Sequence, residues 1–241
     1  MMTRQLALPL SPASPPAWGS FLADASNAEA LGFLCQPDAW PNRRLALFGP
    51  AAIGKTHLLR ATADARGWPV LLGPDLRGLP DLPPGFGLAL DDADCAAEER
   101  ALLHLLNWCA EQGRPLLLAG RQPPARWPVR LPDLSSRLRG MTTIGIAPPS
   151  DELLAALLRR HFQTRQLRVE EAVQDWLLLR LPRTGAAMAE AAARLDRAAL
   201  VAGRGVTRGL AQAALGDLLD GGYDDCMADP IGDCPPAGRL L

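Results

Sequence analysis

The chain has 241 residues, 25 Lys plus Arg against 26 Asp plus Glu and a formal net charge of -1, so bulk charge exerts no pull toward nucleic acid and any DNA contact must be local or borrowed. Its length allows a sizeable core, in one large domain or two modest ones. The opening run MMTRQLALPLSPASPP holds too short an apolar stretch for a signal peptide, and no segment approaches the roughly 20 apolar residues of a membrane span, so a cytoplasmic protein without a membrane partner is expected.

Residues 1–20 are rich in Pro, Ser and Ala and lack periodicity, which reads as a flexible tail carrying an apolar cluster. The fold is expected to begin near Phe21. From there, short apolar runs at Leu45–Phe48, Pro69–Leu72, Leu88–Leu90, Pro115–Gly120 and Thr142–Ile146 alternate with helical patterns at Thr56–Arg66 and Ala96–Gln112. That alternation predicts an α/β lobe over residues 21–148, a doubly wound parallel sheet covered by helices on both faces.

The signal Pro148-Pro149-Ser150-Asp151-Glu152 joins helix-breaking prolines to a serine cap and early carboxylates, after which strand patterns stop. A helical lid domain over residues 149–219 follows from it. Helices are expected at Asp151–Phe162, at Glu170–Leu181 with Val173, Trp176 and Leu177 on one stripe, at Thr184–Ala202 and at Arg208–Leu219. Residues 220–241, dense in Gly, Asp and Pro, read as an acidic, disordered tail. The five cysteines, Cys35, Cys95, Cys109, Cys226 and Cys234, show neither a CxxC pair nor a histidine-containing ligand spacing, so no cysteine-held metal or disulfide framework is expected.

Chemistry concentrates in Gly49-Pro50-Ala51-Ala52-Ile53-Gly54-Lys55-Thr56, which fits G-x-x-x-x-G-K-[ST] between an expected strand and an expected helix. Gly49 and Gly54 free the backbone to curl its N–H groups toward phosphate oxygens, Lys55 neutralises the outer phosphates, and the Thr56 hydroxyl reaches magnesium. These eight residues, with His57 on the helix that follows, are the expected contacts of ATP or ADP with Mg2+. The composition adds an independent sign, since the chain has 24 arginines and one lysine, and that lysine is Lys55. Its retention suggests that arginine fits this slot worse.

A nucleotide site also needs a carboxylate at the end of a neighbouring strand, and LALDDAD supplies Asp91 for the magnesium and Asp92 for the attacking water. Further on, LPDLSSRLRG places Arg137 and Arg139 in a short polar segment before the fifth strand. An arginine there could face a neighbouring subunit's nucleotide, or both could be solvated surface residues.

With GPAAIGKTHLL, LALDDAD, LPDLSSRL and the lobe change at residue 148, the chain resembles the DnaA/Hda family of bacterial AAA+ ATPases over roughly residues 18–215, and is most like the short DnaA paralogue Hda. The resemblance implies an AAA+ P-loop NTPase with a small C-terminal helical lid, and it singles out Arg137 as the arginine finger. It also gives meaning to Gln5-Leu6-Ala7-Leu8-Pro9-Leu10, which is similar to the peptide by which Hda-type proteins bind the DNA polymerase III beta sliding clamp. Leu6, Leu8 and Leu10 would anchor such a peptide, Gln5 would hydrogen-bond and Pro9 would limit its disorder.

No helix-turn-helix pattern follows the lid, so no sequence-specific DNA binding by the chain alone is expected. Self-association is left open. Two departures from the family pattern point to weak intrinsic ATPase: Arg121 stands where the family has a small polar or acidic sensor, and Gly185, Ala186 and Ala187 stand where it has a lid arginine, with Arg183 out of register. The function implied is negative regulation of replication initiation, in which the chain docks on the clamp and stimulates hydrolysis of ATP bound to the DnaA initiator. The alternatives are a nucleotide-gated replication adaptor without a hydrolytic role, a DnaA-related helicase or replisome loader, and, more remotely, a small-molecule kinase.

Overall fold

A computed structural model describes residues 21–79 and 86–219. Within them the chain forms two compact units, residues 21–157 with 183–186, and residues 158–182 with 187–219.

The first unit is built on a parallel five-stranded sheet in the order β2-β3-β4-β1-β5, with β1 at Arg44–Phe48, β2 at Val70–Leu72, β3 at Leu88–Asp91, β4 at Leu116–Gly120 and β5 at Thr142–Gly145. Its strands read as unbroken apolar runs because side chains alternate between two buried faces. Leu45, Leu47, Ala89, Leu117 and Ala119 enter one core with α1 (Ala28–Cys35) and α2 (Lys55–Arg66), through Ala30, Leu34, Leu58 and Leu59. Ala46, Leu88, Leu90, Leu116 and Leu118 enter the other with α3 (Glu99–Glu111) and α4 (Pro132–Arg139), through Leu102, Leu105, Leu106, Leu134 and Leu138. The doubly wound sheet read from the sequence is the fold observed.

Element bounds differ where local backbone bonding wins. The helix expected from Ala96 starts at Glu99, because Ala93–Cys95 form a 3-10 turn and the Ala97 N–H donates to the Gly73 carbonyl at 3.0 Å. The segment before β5, expected as a short polar connection, is the helix α4. Pro132 stands in its first turn, and the Glu99 carboxylate accepts the N–H groups of Arg130 at 2.9 Å and Leu131 at 2.8 Å just ahead of it. Helix α1 went unread, its pattern being short and bounded by no strong cap.

The second unit is helical and contains most of α5 (Asp151–Thr164), α6 (Glu171–Leu178), most of α7 (Gly185–Ala202) and α8 (Arg208–Leu219). Ser150 caps α5 as its position suggests, its hydroxyl accepting the Leu153 N–H at 3.1 Å. In α6 the stripe Val173, Trp176 and Leu177 is buried, but the helix stops at Leu178, and the approach of Pro182 disfavours helical backbone at Leu181. Arg194 holds α7 to α8, its guanidinium donating to Asp217 at 2.7 Å and to Glu190 at 2.7 Å. Among the described residues no helix is long and apolar enough to cross a membrane.

Leu117, fully buried in the central strand β4, should be among the costliest truncations: Leu117→Ala is expected to lower unfolding free energy by about 2–5 kcal/mol. Leu179→Ala, at a residue 83% exposed, should stay within about 0.5 kcal/mol. Urea denaturation followed by tryptophan fluorescence measures both, and equal effects would contradict this core assignment.

Candidate functional site

The turn from β1 into α2 is shaped by three residues with positive φ, Gly49 at 151°, Ala52 at 60° and Gly54 at 104°. Gly49 admits no side chain, since a Cβ there would collide with Ile53 Cδ1 and stand 2.6 Å from the Ile146 carbonyl oxygen. Gly54 is the N-cap of α2 and offers no side-chain acceptor, which leaves the first N–H groups of the helix open to an anion at its positive end.

Lys55, only 8% exposed, folds back so that Nζ donates to the Gly49 carbonyl at 2.9 Å and the Pro50 carbonyl at 2.7 Å. Burial pulls its pKa below the usual lysine value, opposed by the negative charges of Asp94, Asp92 and Asp91.

Those carboxylates stand at and just beyond the end of β3. Asp91 is 3% exposed, burial raises its pKa, and the Thr56 hydroxyl donates to its Oδ1 at 3.2 Å. The structure thus brings Thr56 and Asp91 together as a hydroxyl and a carboxylate oxygen, a hard donor set that suits Mg2+. Asp92 is exposed and adopts left-handed backbone at φ 48°, while its carbonyl lies so close to Gly73 that a Cβ there would run into it.

Sequence reasoning missed Asp94, although it belongs to the same acidic run. Its Oδ2 accepts the backbone N–H of Arg121 at 2.7 Å, and its buried Oδ1 has no hydrogen-bond partner. Pro50, Ala51 and Ala52 lie on the outer surface of the loop, with Ile53 half-buried beneath them. His57 leans on Phe21, with ring centroids 4.7 Å apart.

Arg137 is placed elsewhere. Leu134 and Leu138 bury the inner face of α4 and leave Arg137 exposed, and among the described residues no hydrogen bond or ion pair engages it, whereas Arg139 donates to Ser135 Oγ at 2.8 Å. The Arg137 charge reaches Arg44, whose pKa is lowered first by burial and then by Arg137. Arg44 opens β1 and Gly49 follows its end, so a strand of five residues, about 16 Å at 3.3 Å per residue, separates the two edges. The structure does not bring Arg137 to the chain's own phosphate loop.

At the start of the lid, Arg183 is ion-paired with Asp151. Within the second unit, a cleft of about 680 Å³ lined by Arg159, Arg168, Arg204 and Phe162 contains none of the candidate residues. Gln5, Leu6, Leu8, Pro9 and Leu10 lie outside the described residues, as do residues 220–241.

The buried Asp91 carboxylate supports a pH prediction. Because its pKa is raised, the folded chain holds this proton more tightly than the unfolded chain does, and stability falls as pH rises from 3.8, the ordinary aspartate value, through the raised one. Asp91→Asn should therefore raise the thermal midpoint of the ligand-free protein at pH 7. A midpoint lowered by the substitution would contradict a burial-strained carboxylate.

Residues 151–215 match the Hda lid domain family. The chain's fold is similar to that of domain III of the replication initiation protein DnaA from Thermotoga maritima, at 17% identity and a TM-score of 0.70, covering 88% of this chain and 99% of that one. It is also similar to a replication initiator DnaA bound to AMPPCP and single-stranded DNA, at 18% identity and a TM-score of 0.59, covering 74% of this chain and 63% of that one. The RuvB Holliday junction branch migration motor from Thermotoga maritima is similar at 17% identity and a TM-score of 0.63, covering 84% of this chain and 72% of that one. The chain thus spans less than two thirds of the AMPPCP-bound initiator but nearly all of the isolated domain III.

Proposed function

We propose that this chain, a DnaA-related AAA+ protein by its fold and its Hda-type lid, binds ATP or ADP with Mg2+ at Gly49–Thr56 and presents Arg137 to ATP held by a DnaA initiator, provoking its hydrolysis. In this reading it docks on the sliding clamp through Gln5–Leu10 and acts as a negative regulator of replication initiation. The observation that carries it is the place of Arg137: exposed, unengaged among the described residues and at the opposite edge of the sheet from the chain's own phosphate loop. A guanidinium so placed serves a nucleotide brought by another subunit.

In the chain's own site, Lys55 exchanges the carbonyls of Gly49 and Pro50 for phosphate oxygens, and the N–H groups opening α2 take the remaining charge. Thr56 and Asp91 would hold Mg2+, which when bound neutralises phosphate charge. Asp92, exposed beside Asp91, can orient a water. At the initiator's nucleotide, Arg137 donates to the γ-phosphoryl oxygens as charge spreads over them, a contribution of about 10³–10⁵-fold in rate where arginine fingers operate.

The first residues of α7, Gly185, Ala186 and Ala187, favour a second reading, since they offer the nucleotide no lid cation to signal its phosphate state. The nucleotide would then gate a docking surface, and the protein would be an adaptor without a hydrolytic role.

The experiment is the hydrolysis rate of initiator-bound ATP in the presence of clamp loaded on DNA. Arg137→Ala should reduce the stimulation by at least about 100-fold while clamp binding and nucleotide affinity persist. Deleting residues 5–10 should abolish clamp binding and stimulation together. Stimulation that survives Arg137→Ala would overturn the finger, and absent stimulation by wild type with intact clamp binding would favour the adaptor.

A further inference from the structure

The second unit is basic although the chain is not. Its residues 158–182 and 187–219 carry nine arginines against six carboxylates, in a chain whose formal net charge is -1. Three of those arginines, Arg159, Arg168 and Arg204, line its cleft of about 680 Å³. All three are exposed, and among the described residues no hydrogen bond or ion pair engages their side chains, even though Glu170 lines the same cleft.

The cleft is drawn together by a parallel bridge between Val169 and Val206, after which α6 and α8 begin at Glu171 and Arg208. Both helices therefore turn their positive ends toward the bridge, and no side chain caps α6. Phe162 and Val206 are buried in the lining and Val169 is half-buried, so the cationic rim stands over an apolar floor. Such a site suits an anionic segment that also carries a large ring.

A segment of that chemistry follows α8 in this chain. Residues 220–229 read Asp-Gly-Gly-Tyr-Asp-Asp-Cys-Met-Ala-Asp, four aspartates without a cation, and Tyr223 is the chain's one tyrosine. They lie beyond residues 151–215, the span that matches the Hda lid domain family. Helix α8, with 12 residues, runs about 18 Å away from the cleft. The ten residues after it reach about 33 Å when extended, enough to return, and Gly221 and Gly222 permit the reversal.

We propose that residues 220–229 dock in this cleft as a tethered acidic cover, with Tyr223 on the apolar floor and Asp224 and Asp225 on Arg159, Arg168 and Arg204. Tethering supplies an effective concentration on the order of millimolar, so individually weak, salt-screened ion pairs suffice to hold it. Held there, the segment denies the cleft to any other polyanion.

The test incorporates fluorotyrosine into the full chain, where Tyr223 gives a single fluorine resonance. In the wild type that resonance should stand apart from the one given by a free peptide of residues 220–229. It should return to the peptide position in about 1 M NaCl, with Arg159→Ala, Arg168→Ala and Arg204→Ala combined, and with Asp224→Asn and Asp225→Asn combined. Joining the two sets of substitutions should add nothing, because each removes the same contact. A wild-type resonance at the peptide position, or one displaced equally with and without the three arginines, would overturn the proposal. A labelled single-stranded oligonucleotide tests the other occupant: binding that needs the three arginines but is no tighter in the aspartate variant would mean a cleft open to nucleic acid and no cover. Because all three arginines are exposed, an unchanged unfolding midpoint in their combined variant separates a lost contact from a damaged fold.

Discussion

A buried lysine surrounded by carboxylates is a costly thing to fold around, and the first unit is organised so that this cost falls at one place. Lys55 and Asp91 are each driven by burial toward their neutral forms, the lysine downward in pKa and the aspartate upward. Carbonyls of Gly49 and Pro50 and the hydroxyl of Thr56 satisfy them only in part. The groups that would relieve both are anionic oxygens for the lysine and a cation for the aspartate, and a phosphate chain with Mg2+ supplies the two together. The same loop takes positive φ at Gly49 and Gly54, where glycine adopts it freely, and at Ala52, where it is strained, and Gly54 leaves the first α2 amides uncapped.

The sheet converts this local arrangement into a polarity across the unit. Parallel strands gather the loops after β1, β3 and β4 at one edge, where Lys55, Asp91, Asp94 and the Arg121 backbone meet. The helix α4 runs back toward the start of β5 and delivers Arg137 near Arg44, at the other edge. Glu99 holds the beginning of that helix by its backbone, and Leu134 and Leu138 hold its inner face, so the direction of Arg137 is set by α3 and the core and not by the phosphate loop. A nucleotide-binding edge and an arginine-bearing edge on one body suit a protein that works on a nucleotide held by a neighbour.

Much of this could be read from residues alone. Continuous apolar runs reveal strands buried on both faces, and G-x-x-x-x-G-K-T has a meaning that depends only on backbone freedom and charge. What escaped has physical reasons. The eight residues of α4 carry a polar, arginine-rich outer face on only two buried leucines, Leu134 and Leu138, and the helix owes its start to a carboxylate more than thirty residues earlier. Asp94 looked like one more acidic residue in a turn, because its bond to Arg121 depends on the pairing of β3 with β4, which no local pattern encodes. The partner of Arg183 was likewise invisible, since Asp151 is distant in sequence and reads as an ordinary first-turn acid.

The most direct measurement follows one phosphate. Initiator loaded with γ-labelled ATP is mixed, on clamp-bearing DNA, with this protein loaded with unlabelled ADP, and release of label is followed in a single turnover. Rapid release of the initiator's label, lost with Arg137→Ala, is the predicted result. Label retained on the initiator, released no faster than in the absence of this protein, would contradict an arginine acting across subunits.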